Sequence, residues 1–259
     1  MRRRASYNER MTDSTEPHSP PPSSSVPSST ISSAAPVALV TVRCKGILFD
    51  MDGILISSLG SVERSWETWA RSRNVDVTLA IHTAHGCRAI ETIRKLRPDL
   101  DDHAELKFIE DLEIEDTEGL DVLPGILDLL RQLPDNRWTV VTSATERLAR
   151  IRMAAGGIPV PAKIIAADMV EQGKPHPEPY LRGAGILGLP AADCVVFEDS
   201  ASGTKAGRAA GCTVIGTLFS HSVEELAAAH YLVQDLTDIK VEILPGDEGL
   251  ALHFTPLGF

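Results

Sequence analysis

Long apolar runs are missing from this sequence: no stretch approaches the roughly 20 apolar residues needed to cross a bilayer, so it offers no candidate spanning helix. An excess of positive charge is missing too. Lys and Arg number 25 against 36 Asp and Glu, for a net charge of −11. A nucleic-acid partner needs a basic footprint, and nothing here supplies one. Cysteine is scarce: Cys44, Cys87, Cys194 and Cys212 lie far apart, with no CxxC pair. That excludes a disulfide framework and a cysteine zinc site, and it points to a reducing compartment. Cys194 and Cys212 adjoin apolar runs and read as core fillers. Met1-Arg2-Arg3-Arg4 is followed by no apolar stretch, and Glu9, Asp13 and Glu16 argue against a transit peptide. The expectation is a cytoplasmic monomer with no membrane or nucleic-acid partner. The acidic field also means that a phosphorylated substrate must be met by local cations.

What is present is an ordinary globular composition, 43% hydrophobic and 24% charged, behind an atypical start. Residues 1–40 form a Ser/Pro-rich tail around Pro20-Pro21-Pro22-Ser23-Ser24-Ser25, with too little apolar surface to offset the entropy of ordering. It reads as disordered. Beyond it, short β-rich runs at 47–49, 138–142, 163–166, 194–197, 213–216 and 231–233 alternate with helical stretches at 125–133, 146–155, 178–187 and 202–210. Strand and helix in alternation predict an α/β fold with a doubly wound parallel (Rossmann-like) sheet. Gly203, Gly207 and Gly211 suggest close packing or helix termination around the fourth helix.

One interval breaks the alternation. From Ser57 to Asp121 no strand is apparent, while Val62, Trp66, Trp69 and Ala70, then Ala89, Ile93 and Leu96, then Leu106, Ile109 and Leu112 recur at helical spacing. This is an α-helical insert, expected at 58–120, within a Rossmann-like core of 41–57 and 121–259. Trp66 and Trp69 read as its core anchors.

Each strand end carries a polar feature of one kind. Gly46-Ile47-Leu48-Phe49 stops on Asp50-Met51-Asp52-Gly53. Two acids so close repel unless a cation or a division of labour separates them, one acting as nucleophile or metal ligand and the other handling protons. A turn with two solvated aspartates is the alternative. Val140-Val141 leads to Thr142-Ser143-Ala144-Thr145, where hydroxyls and the Ala144 amide at a helix start suit either an anion or a plain cap. Lys174 stands between Gly173 and Pro175, either aimed inward or exposed; His176, between prolines, reads as structural or exposed. Cys194-Val195-Val196-Phe197 ends in Glu198-Asp199. Charges at the end of a buried strand are costly unless paired or metal-bound. Asp50, Asp52 and Asp199 with waters would make an oxygen-rich site of the type Mg²⁺ accepts.

Asp50-x-Asp52-Gly53, Ser143, Lys174 and Glu198-Asp199 resemble, in order, the four motifs of the haloacid dehalogenase-like hydrolase superfamily, and the insert resembles its C1-type α-helical cap. The resemblance spans residues 44–235. Leu123-Pro124-Gly125, the run Gln172 to Tyr180, Val196 to Asp199 and His85-Gly86-Cys87-Arg88 are similar to glycerol-phosphate and 2-deoxyglucose-6-phosphate phosphatases and related sugar phosphatases. Ile54 departs from the usual Thr or Val but stays apolar. The resemblance implies a phosphomonoesterase for a small sugar or polyol phosphate. Asp50 would attack phosphorus and form an aspartyl-phosphate, and Asp52 would serve as acid, then base. Ser143, the Ala144 amide and Lys174 would hold phosphoryl oxygens. Asp50, the Asp52 carbonyl and Asp199, with Glu198 ligating or orienting a water, would hold Mg²⁺. His85 and Arg88 on the cap would read sugar hydroxyls or sense closure, unless they merely start a helix with exposed charges.

The nearest rival is a sugar phosphomutase of the β-phosphoglucomutase type. A haloacid dehalogenase would not use the second aspartate or a metal. A phosphonatase would want a cap lysine in a motif, which Lys95 and Lys107 do not offer. A non-catalytic, receiver-like protein would need neither Asp52 nor a large cap.

Overall fold

The computed structural model describes residues 38–246 and 248–258; the expected disordered tail lies almost wholly outside them. Strands β1 (Val40–Cys44) and β2 (Gly46–Phe49) open the described chain. All four residues of β2 are buried, as in a parallel strand covered on both faces. With β5 (Trp138–Val140), β6 (Cys194–Glu198), β7 (Thr213–Thr217) and β8 (Tyr231–Val233), β2 forms a five-stranded parallel sheet of order β5-β2-β6-β7-β8.

Alternation along these strands divides the core. Ile47, Phe49, Val195 and Phe197 pack on one face with α5 (Ile126–Gln132) and α6 (Glu146–Ala155). Leu48, Cys194 and Val196 pack on the other with α7 (Glu178–Ile186) and α8 (Ala201–Ala209). The sheet is therefore doubly wound. Cys194 and Cys212 belong to the second cluster, and burial pushes their thiols up to about 11 and about 12 respectively.

Two features differ from the sequence expectation. The run at 163–166 contributes only one parallel bridge, Ile165 to Val141, with the Lys163 carbonyl taken instead by the Thr139 hydroxyl at 2.7 Å. A second, antiparallel sheet of order β1-β10-β9, with β9 (Lys240–Ile243) and β10 (Leu250–Phe254), was not anticipated. Val42, Leu252 and Phe254 from it extend the first core cluster.

Four helices occupy the expected insert: α1 (Leu59–Arg73), α2 (Val77–Ala84), α3 (Ala89–Leu96) and α4 (Asp102–Glu115). They bury a cluster of their own in which Trp66 and Trp69 meet edge to face at 5.3 Å. The insert leaves and re-enters the core through a two-stranded ribbon, β3 (Ile56–Ser57) against β4 (Asp121–Val122), so its two connections are tied together. Among the described residues no helix is long and apolar enough to cross a membrane.

Candidate active site

Register brings the acids together. Phe49 of β2 pairs with Phe197 of β6, their rings stacked at 5.2 Å, and the Asp50 amide donates to the Phe197 carbonyl at 3.0 Å. The next rung beyond this apolar pair is Asp50 beside Glu198, at the carboxyl edge where open α/β sheets bind ligands. Carboxylate oxygens of Asp50, Glu198 and Asp199 lie within 4.8 Å of one another, all buried. Gly53, with φ +81°, turns the chain directly under Asp199; a Cβ there would stand 1.9 Å from Asp199 Oδ2. Only glycine allows that approach.

Lys174 enters this cluster from the opposite loop. Its ammonium donates to Asp50 Oδ1 at 2.7 Å, to Glu198 Oε1 at 2.7 Å and to the Val141 carbonyl at 3.1 Å. All three ammonium donors are thus engaged, and the two acids hold Lys174 above its ordinary range. Glu198 is fully enclosed. Its Oε1 also accepts from the Tyr180 hydroxyl, and its Oε2 accepts from the Asp199 and Ser200 amides and the Ser200 hydroxyl. Five donors hold it below the usual carboxylate range, Lys174 first among the causes opposing its burial. Gly203 on α8 makes room for it, since a Cβ there would stand 1.6 Å from Glu198 Oε1.

One ammonium does not balance three carboxylates. Burial pushes Asp50 up to about 7, with Lys174 opposing and Glu198 adding to the rise, and it also raises Asp199 well above the usual carboxylate range. An all-oxygen set with surplus negative charge is what a hard divalent cation completes. The residues present fit Mg²⁺.

Asp52 is placed elsewhere. Its Oδ1 accepts from Ser58 Oγ at 2.6 Å and from Arg152 Nη1 at 2.9 Å, and its carboxylate stands outside the acidic cluster. This agrees with the expectation that Asp52 would offer a metal its carbonyl and keep its side chain apart: Ser58 and Arg152 draw the carboxylate to the cavity wall. Ser143 also lines the cavity, and its side chain has no hydrogen bond among the described residues. The Ala144 amide donates to Thr142 Oγ1 at 3.0 Å.

Above these groups lies a cavity of about 450 Å³ roofed by the insert. Its two expected specificity residues fare differently. Arg88 spends every N–H within the protein. Its Nε and Nη2 bind Glu91, Nη1 donates to the Ala167 and Val170 carbonyls at 3.3 and 2.9 Å, and Nη2 donates to the Glu171 carbonyl at 3.0 Å. No donor is left for a sugar, so the expectation of hydroxyl contacts gives way to a clasp between insert and core. His85 is half-buried, burial lowers its pKa from the usual imidazole value, and its buried Nε2 has no partner among the described residues. Arg152 and Glu113 were missed. The signal was there: each is a charge inside the apolar stripe of its helix, Leu148-Ala149-Arg152-Met153 and Leu106-Ile109-Glu113.

Comparison with known proteins decides the family. A model of haloacid dehalogenase-like hydrolases matches residues 44–211. The chain belongs to this family. It is 37% identical over 212 residues to hexitol phosphatase A of Escherichia coli (strain K12), covering 80% of this chain and 98% of that protein. It is 35% identical over 190 residues to glycerol-1-phosphate phosphohydrolase 1 of Saccharomyces cerevisiae, covering 68% and 76%. The β-phosphoglucomutase of Clostridium difficile superposes with a TM-score of 0.65 over 75% of this chain and 92% of that one, at 20% identity. That last likeness shows a shared fold. This haloacid dehalogenase-like hydrolase brings Asp50, Ser143, Lys174 and Asp199 to the wall of one cavity.

Proposed function

We propose that this hydrolase is a Mg²⁺-dependent phosphomonoesterase acting on a small sugar or polyol phosphate, a cytoplasmic monomer with residues 58–120 as its cap. The observation that carries the reading is the division of labour between the two aspartates. Asp50 sits in the charged cluster with only Oδ1 tied, by Lys174, leaving Oδ2 to attack phosphorus and form an aspartyl-phosphate. Asp52 stands apart with only Oδ1 tied, leaving Oδ2 to give a proton to the departing alkoxide and take one from water.

Lys174 fixes the nucleophile's rotamer and supplies charge, while Glu198, saturated by its five donors, positions Lys174. Ser143, at the helix entrance and without a side-chain hydrogen bond among the described residues, is a donor available to a phosphoryl oxygen. Asp50 and Asp199, with the Asp52 carbonyl, would hold Mg²⁺, which supplies charge neutralisation between carboxylate and phosphate dianion. Arg88 seats the cap and His85 faces the leaving group. The names of the relatives, hexitol and glycerol-1-phosphate phosphatases, support a polyol substrate.

The test is phosphate release from hexitol, glycerol and sugar phosphates with Mg²⁺ and with EDTA, alongside metal titration of Asp199→Ala. Release that needs Mg²⁺, with metal affinity lost in the variant, is expected. Undiminished turnover in EDTA would remove the metal role. Isomerisation of β-glucose 1-phosphate primed by glucose 1,6-bisphosphate, without phosphate release, would replace the phosphatase by the mutase.

A further inference from the structure

Arg152 is 3% exposed, yet its Nε and Nη2 have no hydrogen-bond partner among the described residues. Burying such donors unmet is costly, more so on a charged group. Facing it from α4 of the insert is Glu113, its side chain 9% exposed, with Oε2 at 3.5 Å from Arg152 Nη2. That distance makes an ion pair without a hydrogen bond. A donor with spare capacity and an acceptor with spare capacity therefore share one stretch of the cavity wall, one from the core and one from the insert. The third N–H-bearing atom of Arg152, Nη1, is at 2.9 Å from Asp52 Oδ1, so this wall adjoins the group that meets the leaving oxygen.

We propose that Arg152 and Glu113 form the subsite that reads the leaving group, binding the hydroxyl on the carbon next to the phosphoester. A hydroxyl is a small neutral group that accepts from Arg152 and donates to Glu113 at once. An amine would suit Glu113 but repel Arg152, and a carboxylate the reverse. An alkyl chain would leave both buried groups unmet, which is how a polar site rejects an analogue lacking its hydroxyl. Because one partner comes from the insert, the subsite is complete only with the insert seated. Arg152 is in addition a positioning residue for Asp52, so hydroxyl recognition and alignment of the acid share one guanidinium. The inference rests on the phosphatase reading above.

The experiment compares kcat/KM for glycerol 1-phosphate and for 1,3-propanediol monophosphate, which lacks that hydroxyl, in the wild type and in Glu113→Gln, with Mg²⁺ present. The wild type is expected to prefer glycerol 1-phosphate by about 10- to 100-fold, the worth of leaving a buried partner unmet. The variant should lose most of that preference. Glu113→Asp, which keeps the charge but withdraws the carboxylate, gives the same readout if the glutamine variant does not fold. A wild type that turns over both esters equally overturns the subsite. So does a variant that keeps the full preference. If neither ester releases phosphate but p-nitrophenyl phosphate does, the polyol phosphatase reading itself fails, and this inference with it.

Discussion

The two ends of the cavity are built on opposite terms. At the sheet edge, Glu198 accepts five hydrogen bonds and Lys174 spends all its donors, so the charged groups there are locked by the protein. Under the insert, two buried N–H-bearing atoms of Arg152 and Nε2 of His85 have no partner among the described residues. The chemical end is preorganised, so nothing need rearrange as charge develops on phosphorus. The recognition end presents polar groups that no protein atom among the described residues satisfies and that a ligand hydroxyl can. Arg152 belongs to both, through Asp52, and is where the two regimes join.

Breaking the satisfied end should have the largest effect. Asp50→Asn removes the attacking oxygen while leaving a side chain of the same shape beside Lys174. Turnover of any phosphate ester should fall at least roughly 10³-fold, by analogy with other removed catalytic groups. Single-turnover measurement of phosphate release checks this, and more than a tenth of wild-type activity would sink the nucleophile assignment.

Arg88→Ala tests whether the clasp belongs with recognition or with closure. Its contacts are three backbone carbonyls of the core and Glu91, so its removal should loosen the insert over every substrate alike. Losses of about 10- to 100-fold in kcat/KM are expected from several charge-assisted hydrogen bonds. They should be equal for glycerol 1-phosphate and p-nitrophenyl phosphate. A loss confined to the polyol ester would return Arg88 to substrate contact and blur the contrast between the two ends.

The difference between the ends also governs what the sequence could reveal. Motifs at strand ends were legible because an apolar strand that stops on acids has few physical outcomes, and Asp50, Lys174, Glu198 and Asp199 do converge. The insert's helices followed from the spacing of Trp66, Trp69, Ile93 and Ile109. What a residue spends its hydrogen bonds on is a tertiary matter. Arg88 in a polar cap motif looked like a sugar ligand because nothing local announces carbonyls at 167, 170 and 171. Arg152 and Glu113 were passed over because a single charge in a helical stripe reads as solvated until the facing helix is known. The β1-β10-β9 sheet escaped for the same reason: Val40–Cys44 does alternate apolar and polar residues, but it is a short run beside the tail and its partner lies some 200 residues away.

The smallest effect sharpens the comparison most directly, because it measures unmet polarity without substrate. Burial pushes Glu113 up from 4.5 to about 7, with Arg152 opposing and Asp52 and Glu110 adding to the rise. Between those values the folded protein holds a proton that the unfolded chain has released. Stability therefore falls as pH rises from about 4.5 to about 7 and levels off above. Glu113→Gln, which cannot ionise, should flatten that part of the profile. Relative to wild type, the variant should gain on the order of 1–3 kcal/mol at pH 8 over its standing at pH 4.5. For a protein of this size that corresponds to several degrees in Tm. Thermal melts of both proteins across this range, without ligand, make the measurement. Superimposable pH profiles would mean that Glu113 is already satisfied in the free protein, and that the recognition end is as settled as the chemical one.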